Sequence, residues 1–448
     1  MGNYIGILGI IVILAIAVAF SSNRKAINLR VVGAAFALQV AIAAIALYWT
    51  TGQNAIRALS DGVLAIIGFA GAGIDMVFGP LKDIYVPVRG MLEKEYDIVP
   101  PPPVPGEDAV IEVAFSFAIN VLPIIIFFAA LMSVLYHLRI MEWLVKIVGG
   151  ALHKIIGTGA IESMNAAANI FVGQTEAPLV VKPYLKNLTE AQFFAVMVSG
   201  LASIAGTVLA AYVILGANIN YLLAAAFMAA PGGLLMAKII MPDTEAVPAG
   251  GHEKLQMERS THGNLILAAA SGTSDGLRLA VNIGAMLVAF VALIALFNGL
   301  VGWLFTLTPV VWLFGLGGVD LAAIEGGVTM QLILGKIFQP LMYLLSVPWH
   351  EAEAAGALFG EKIILNEFVA FSHLQETLKG MSPRTIAVTT FSLCGFANLS
   401  SIAILLGGLG VLVPEKRELI GKFGMKCVLA ASLSNLMSAA LAGLMLTF

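Results

Sequence analysis

Long apolar runs, broken at intervals by short polar stretches, organise this chain. The runs at 4–20 and 31–49 are each about as long as a helix needs to cross a bilayer, roughly 20 residues. A turn at 21–30, carrying Arg24, Lys25 and Arg30, joins them. Residues 53–79 place Arg57, Asp61 and Asp75 on one face, which predicts an interfacial helix. The proline-rich run Pro100–Pro105 predicts a stiff extended segment outside the bilayer. A third span is expected at 109–138, and a second interfacial helix at 139–160, where Arg139, Glu142, Lys146, His153 and Lys154 punctuate the apolar pattern.

Residues 161–186 are apolar but interrupted at Gly173–Pro178. A re-entrant hairpin fits, because non-helical backbone at membrane depth is tolerated only where it is buried in protein or lines a cavity. Spans four (191–215), five (219–241) and six (279–306) follow, with a polar loop at 242–262. The second half then runs through the same plan. It has an interfacial stretch at 328–347, a broken segment at 354–378 centred on Asn366 and Glu367, a helix at 384–412 interrupted at 395–401, and a last helix at 424–447. Thr189 and Ser382 each stand where a cap opens the following helix. The pattern predicts an all-α integral membrane protein: eight transmembrane helices plus two re-entrant hairpins and interfacial helices, arranged as inverted repeats.

Composition agrees. Of 448 residues, 59% are hydrophobic and 11% charged, against about 25% charged in soluble domains. The net charge of −3 gives no electrostatic basis for nucleic acid binding. With the N-terminus outside, 16 of the 24 Lys and Arg residues fall on inward-facing segments, so both termini are expected outside. The first run lacks a basic leader and a small-residue cleavage site, and reads as a retained helix. Cys394 and Cys427 lie in apolar context and read as two buried thiols.

Carboxylates at membrane depth are costly and mark substrate or ion paths. Glu176 and Glu367 both stand inside broken apolar segments. Gln174, Thr175 and Glu176 offer an amide, a hydroxyl and a carboxylate, a set that matches the edge of a heterocycle. The plainer reading is that Glu176 pairs with a lysine and staples the hairpin. Asn366 and Glu367, with Asn398 and Ser401 on the interrupted helix, suit a polyol such as ribose. Asn398 and Ser401 serve equally well as interhelical bonds. Phe396 packs on a ring or simply fills space. Asn169, Val172, Ser203 and Ile204 combine side-chain oxygens with carbonyls freed near breaks. This set suits a monovalent cation, though composition alone favours ordinary interhelical bonding. The six histidines show no metal-ligand spacing and read as surface residues. Trp349, His350 and Glu351 read as an interface anchor. An intramembrane hydrolase using Glu176 and Glu367 as acid and base is the reading from another class, but no nucleophile–base pair accompanies them.

Three runs carry a resemblance. They are Asn169 to Pro178 (NIFVGQTEAP), Gly360 to Ala370 (GEKIILNEFVA) and Leu393 to Ile402 (LCGFANLSSI). With Leu122–Phe128 and Asn282–Leu287, they make the chain resemble the concentrative nucleoside transporter family over nearly its whole length. It looks like a bacterial, sodium-coupled member. The resemblance implies a homotrimer in the inner membrane that imports nucleosides, uridine and similar, across the lipid bilayer with sodium as coupling ion. Proton coupling is the alternative. The scaffold would comprise residues 1–138 and the loop and helix at 242–306. The mobile transport domain would comprise the repeats at 139–241 and 307–448. The resemblance puts Gln174, Thr175, Glu176 and Val208 near the nucleobase. Glu367, Asn398 and Ser401 would lie on the ribose with Phe396 beside them. Sodium would sit at Asn169, the Val172 carbonyl, Ser203 and the Ile204 carbonyl. Leu399 departs from the family, where Phe is common.

Overall fold

The computed structural model describes residues 2–79, 85–87, 111–113, 116–244, 263–305 and 327–446. Among these, every regular element is helical except a two-stranded antiparallel ribbon, β1 (Tyr85–Pro87) with β2 (Ile111–Val113). The proline-rich run and the loop expected at 242–262 lie wholly or mostly outside the described residues.

The first helices are α1 (Gly2–Ala19), α2 (Leu29–Ala43, extended by a π turn to Tyr48) and α3 (Thr50–Phe78). Although α3 carries the charges that suggested an interfacial helix, it forms 29 unbroken residues, long and apolar enough to span a membrane. The third expected span starts late. Residues 111–113 are extended in β2, and α4 runs over Leu122–His137, opened by Pro123, whose missing N–H is not needed in a first turn. Next come α5 (Ile140–Ile156) and α6 (Ala160–Ala168). The span-four sequence divides into α7 (Glu190–Ala202) and α8 (Gly206–Ile214), followed by α9 (Ile219–Ile240). The Thr189 side chain caps α7 by accepting from the Gln192 amide.

Span six is longer than its sequence suggested. The helix α10 (Leu265–Leu304) begins 14 residues earlier than expected. Its polar first half stays helical because the hydroxyls bond within the helix, Thr273 to the Ala269 carbonyl (2.9 Å) and Ser274 to that of Ala270 (3.2 Å). Asn264 caps it through the Leu267 amide (2.8 Å). Gly272 and Gly276 let α10 approach α4 closely: a Cβ on Gly276 would stand 2.8 Å from Ile126 Cα.

The second half contains α11 (Met330–Leu344), α12 (Trp349–Ile364), α13 (Glu367–Thr377), α14 (Pro383–Leu393) and α15 (Ser400–Gly407). The last helix, α16 (Arg417–Met445), opens earlier than expected. Between α11 and α12 the chain bends by 118°, and the Gln339 amide closes the bend on the Trp349 carbonyl (3.0 Å). Ser382 caps α14 through the Thr385 amide, as expected. Six of the eight expected spans qualify by length and apolarity on the described residues. The described part of α1 falls short, and α14–α15 is interrupted.

Burial divides the helices. The α7–α8 segment, α9 and α16 are buried nearly all round, whereas α3, α4 and α10 turn most of their apolar surface outward. A helix apolar on every side belongs in a protein core or a membrane. The buried helices therefore form a polar-punctured core that includes α7, α8 and α14. Cys394 and Cys427 are free thiols buried in that core.

Candidate functional site

Each half of the chain leaves helical geometry twice, and hydrogen bonds tie these breaks to neighbouring segments. In the first repeat the backbone is non-helical from Asn169 to Glu176 and again from Ser203 to Ala205. The Gly206 amide donates to the Phe171 carbonyl across these breaks (3.0 Å). In the second half, the Leu399 amide donates to the carbonyl of Ile363 in the last turn of α12 (3.1 Å). The Phe396 amide then joins the repeats by donating to the Ser203 carbonyl (3.2 Å). Buried backbone groups need partners, and these bonds supply them where the helices open.

The second hairpin is tightly wired. Asn366 caps α13, its side-chain oxygen accepting from the Val369 amide (3.0 Å). Glu367 is buried. Its Oε1 accepts from the Tyr212 hydroxyl (3.1 Å) and its Oε2 from the Asn398 amide (3.0 Å). The Asn398 oxygen in turn accepts from the Ser401 amide (2.9 Å) and the Ser400 hydroxyl (2.7 Å). Asn398 and Ser401 therefore do join a polar group around Glu367. Phe396 is half-buried beside them.

The first hairpin meets this group at its tip, where the Gln174 amide lies 3.4 Å from the Ser401 hydroxyl. Gln174 is thereby brought to the Glu367 cluster. Thr175 packs against Gly408 instead. Glu176 is exposed; it accepts from the Gly173 amide (3.0 Å), and no lysine or arginine among the described residues pairs with it. The stapling role thus falls elsewhere, to a buried ion pair between Glu162 and Lys238 (2.8 Å) that sequence reading missed. Val208 is buried on α8, one turn from Tyr212.

Asn169 and Ser203 are both buried, and Val172 and Ile204 stand in the non-helical stretches beside them. The Asn169 amide nitrogen donates to the Asn165 carbonyl (2.9 Å), which leaves its Oδ1 buried and without a hydrogen-bond partner among the described residues. Gln174 Oε1 and Thr207 Oγ1 are likewise unpartnered. A buried oxygen without a donor is costly, and an oxygen-only donor set of this kind suits a hard monovalent cation.

Three residues of this region were absent from the expectations. Tyr212 lies four residues after Val208, so it shares a helix face, and that spacing was the available signal. Asn435 on α16 donates to the carbonyls of Ala202 (2.7 Å) and Cys394 (2.6 Å), clamping both helix breaks. Lys362 is fully buried beside it. The histidines are not all surface residues either: His373 Nδ1 stands 3.0 Å from the buried Glu361 carboxylate. Gly395 turns the chain at the second break with φ +156°, and a side chain there would strike Asn435.

Family profiles match three parts of the chain. They are "Na+ dependent nucleoside transporter N-terminus" at residues 8–81, "Nucleoside recognition" at 118–218 and "Na+ dependent nucleoside transporter C-terminus" at 221–443. Among relatives, the nucleoside permease NupC of Helicobacter pylori is 45% identical over 98% of this chain and 96% of its own length. Sodium/nucleoside cotransporter 1 of Mus musculus is 32% identical over 98% of this chain and 63% of its own length. The solved structure of CNTnw in an inward-facing substrate-bound state superposes with a TM-score of 0.85 at 45% identity, covering 99% of this chain and 98% of that one.

Proposed function

We propose, from the premise that the chain belongs to the Na+ dependent nucleoside transporter family, that it is a secondary active importer of nucleosides such as uridine, driven by a sodium gradient. One observation carries the reading: the hydrogen-bonded chain Gln174–Ser401–Asn398–Glu367 joins the two hairpins beside the unpartnered Asn169 oxygen. The nucleobase lies against Gln174, Thr175, Glu176 and Val208. The ribose hydroxyls donate to Glu367 and meet Asn398 and Ser401, with Phe396 flanking the ring. Sodium is held by Asn169, Ser203 and the carbonyls of Val172 and Ile204. Because these atoms belong to both breaks of the first repeat, the ion orders the hairpin tip that the nucleobase meets. The ion therefore raises nucleoside affinity, and by linkage the nucleoside raises ion affinity.

In the same reading, the repeats at 139–241 and 307–448 move as one body against a scaffold of 1–138 and 242–306. The two hairpins are re-entrant and the repeats inverted. The protein is a homotrimer in a bacterial inner membrane with both termini outside. The relatives are transporters and permeases, so Glu176 and Glu367 bind a passing solute rather than hydrolyse one. Uptake of radiolabelled uridine into proteoliposomes tests the proposal. Accumulation of unmodified uridine that requires an inward sodium gradient is expected. Accumulation that follows a proton gradient in sodium-free buffer would replace sodium with protons.

A further inference from the structure

One polar side chain on α10 turns away from the outward surface of that helix. Around it, Leu293, Leu296, Phe297 and Leu300 are exposed and apolar. Asn298 instead shares a face with Leu287, Phe290 and Ile294, at helical spacings of three and four. A polar group in an apolar span is expensive and persists where it finds partners. Asn298 finds two at the start of α11. Its Oδ1 accepts from the Met330 amide (2.7 Å), and its Nδ2 donates to Gln331 Oε1 (3.1 Å). The Gln331 side-chain amide donates onward to the buried Glu361 of α12 (2.8 Å), whose carboxylate also meets His373 of α13. One hydrogen-bonded line thus runs from α10 to both arms of the second hairpin, and the nucleoside and sodium sites do not use it.

Packing places a boundary on this line. Helices α11 and α12 interlock: a Cβ on Gly335 would stand 2.9 Å from the Glu353 carbonyl oxygen, and one on Gly360 2.6 Å from Leu334 Cβ. Lys336 pairs with Glu353, and Gln339 closes the bend between the two helices on the Trp349 carbonyl. Close-packed elements transmit strain and move as one. The helix α10 meets this block differently. Ile294 buries against Met330, Leu334, Leu365 and Val369, an apolar face, with Asn298 one turn further along. Apolar contact is non-directional and tolerates sliding, whereas oriented hydrogen bonds hold one register.

We infer that Asn298 is a positioning residue of the transport cycle: it clasps the scaffold helix α10 to the moving body at the start of α11, and this clasp parts in every turnover. This rests on the reading above of a moving body and a fixed scaffold. Gln331 and Glu361 both lie on the moving side and stay joined, so the line opens at Asn298.

Two variants test it. Asn298→Cys with Met330→Cys places two thiols where the clasp closes. Oxidised, this protein should import no uridine into proteoliposomes, and reduction should restore uptake. The wild type, whose Cys394 and Cys427 are buried, should be indifferent to both treatments. A cross-linked protein, verified by loss of free thiol, that imports at the reduced rate overturns the inference. Asn298→Leu keeps the volume in an apolar span and removes both bonds. On that background a thiol reagent should label Ile294→Cys about tenfold faster than in the single variant, with the melting temperature unchanged. Unchanged labelling, or faster labelling with a lowered melting temperature, overturns the inference. If the cysteine pair does not oxidise, the labelling decides alone. Wild-type protein that carries no uridine would sink the proposed function instead, while the labelling would still report on the clasp.

Discussion

The two hairpins follow one plan but are finished differently. The second has a full helix, α13, as its returning arm, and its carboxylate Glu367 has both oxygens bonded by protein groups. The first returns through a 3-10 turn (Ala177–Val181) and a single helical turn (Lys182–Leu185), because Pro178 and Pro183 each remove an amide donor. Its Glu176 is held only by a neighbouring backbone amide and stays exposed. Nearby, Asn169, Gln174 and Thr207 leave buried oxygens unpartnered. The carboxylate at the second hairpin is thus wired by protein groups, while the oxygens around the first hairpin tip stay open. Coupling between an ion and a solute needs such an asymmetry, since only an unordered half can be ordered by an ion.

The largest effect is expected where the finished half is unwired. Glu367→Gln replaces a buried acceptor of two hydrogen bonds with a group whose amide cannot accept from Tyr212 and Asn398 together. Losing charged, buried hydrogen bonds costs roughly 2–3 kcal/mol, or about a 100-fold rise in the KM for uridine uptake. Near-normal uptake at matched expression would remove Glu367 from the ribose side.

Next comes the open half. Asn169→Ala deletes the unpartnered oxygen, and the half-saturating sodium concentration should rise about tenfold. Maximal uptake at saturating sodium should stay near wild type. A fall in maximal uptake with unchanged sodium affinity would make Asn169 a packing residue of the hairpin.

How much of this asymmetry could be read in the sequence depends on range. The breaks at Gly173–Pro178 and Asn366–Glu367 were legible because prolines, glycines and carboxylates stand out in apolar runs. The caps Thr189 and Ser382 were legible for the same local reason, and the paired architecture followed. What escaped was everything settled by contacts distant in sequence. Asn435 bridges to positions 41 and 233 residues away, and nothing in α16 announces it. Lys362 reads as an ordinary charge near a hairpin until its burial is seen. The start of α10 was missed because Ser271, Thr273 and Ser274 look like a loop, although a helix can absorb hydroxyls by bonding them to the preceding turn.

A smaller effect tests how the finished half is held. Tyr212 stacks on Phe371 at 4.4 Å and donates to Glu367, so it fixes the carboxylate from the α8 side. Tyr212→Phe keeps the stacking and removes only the hydroxyl. About a fivefold loss of uridine affinity is expected, with the sodium requirement at saturating uridine unchanged. A shift in sodium requirement would mean that Tyr212 acts on both halves.

The smallest effect belongs to the one apolar contact proposed for the nucleobase. Val208 lies one turn before Tyr212 on α8 and is buried. It therefore bears on the site from the same face but has no hydrogen bond to lose. Val208→Ala removes two methyl groups, and a buried methylene is worth about 0.8 kcal/mol. Only the part of the side chain that would face the base bears on binding, less than one methylene's worth, so about a threefold weakening of uridine is expected. The loss should be shared by uridine and by its base analogues modified away from α8, and it should leave ribose-modified nucleosides weakened by the same factor. If Val208→Ala instead weakened ribose-modified nucleosides selectively, Val208 would act through Tyr212 and Glu367. The boundary between the open and the finished half would then run through α8 itself.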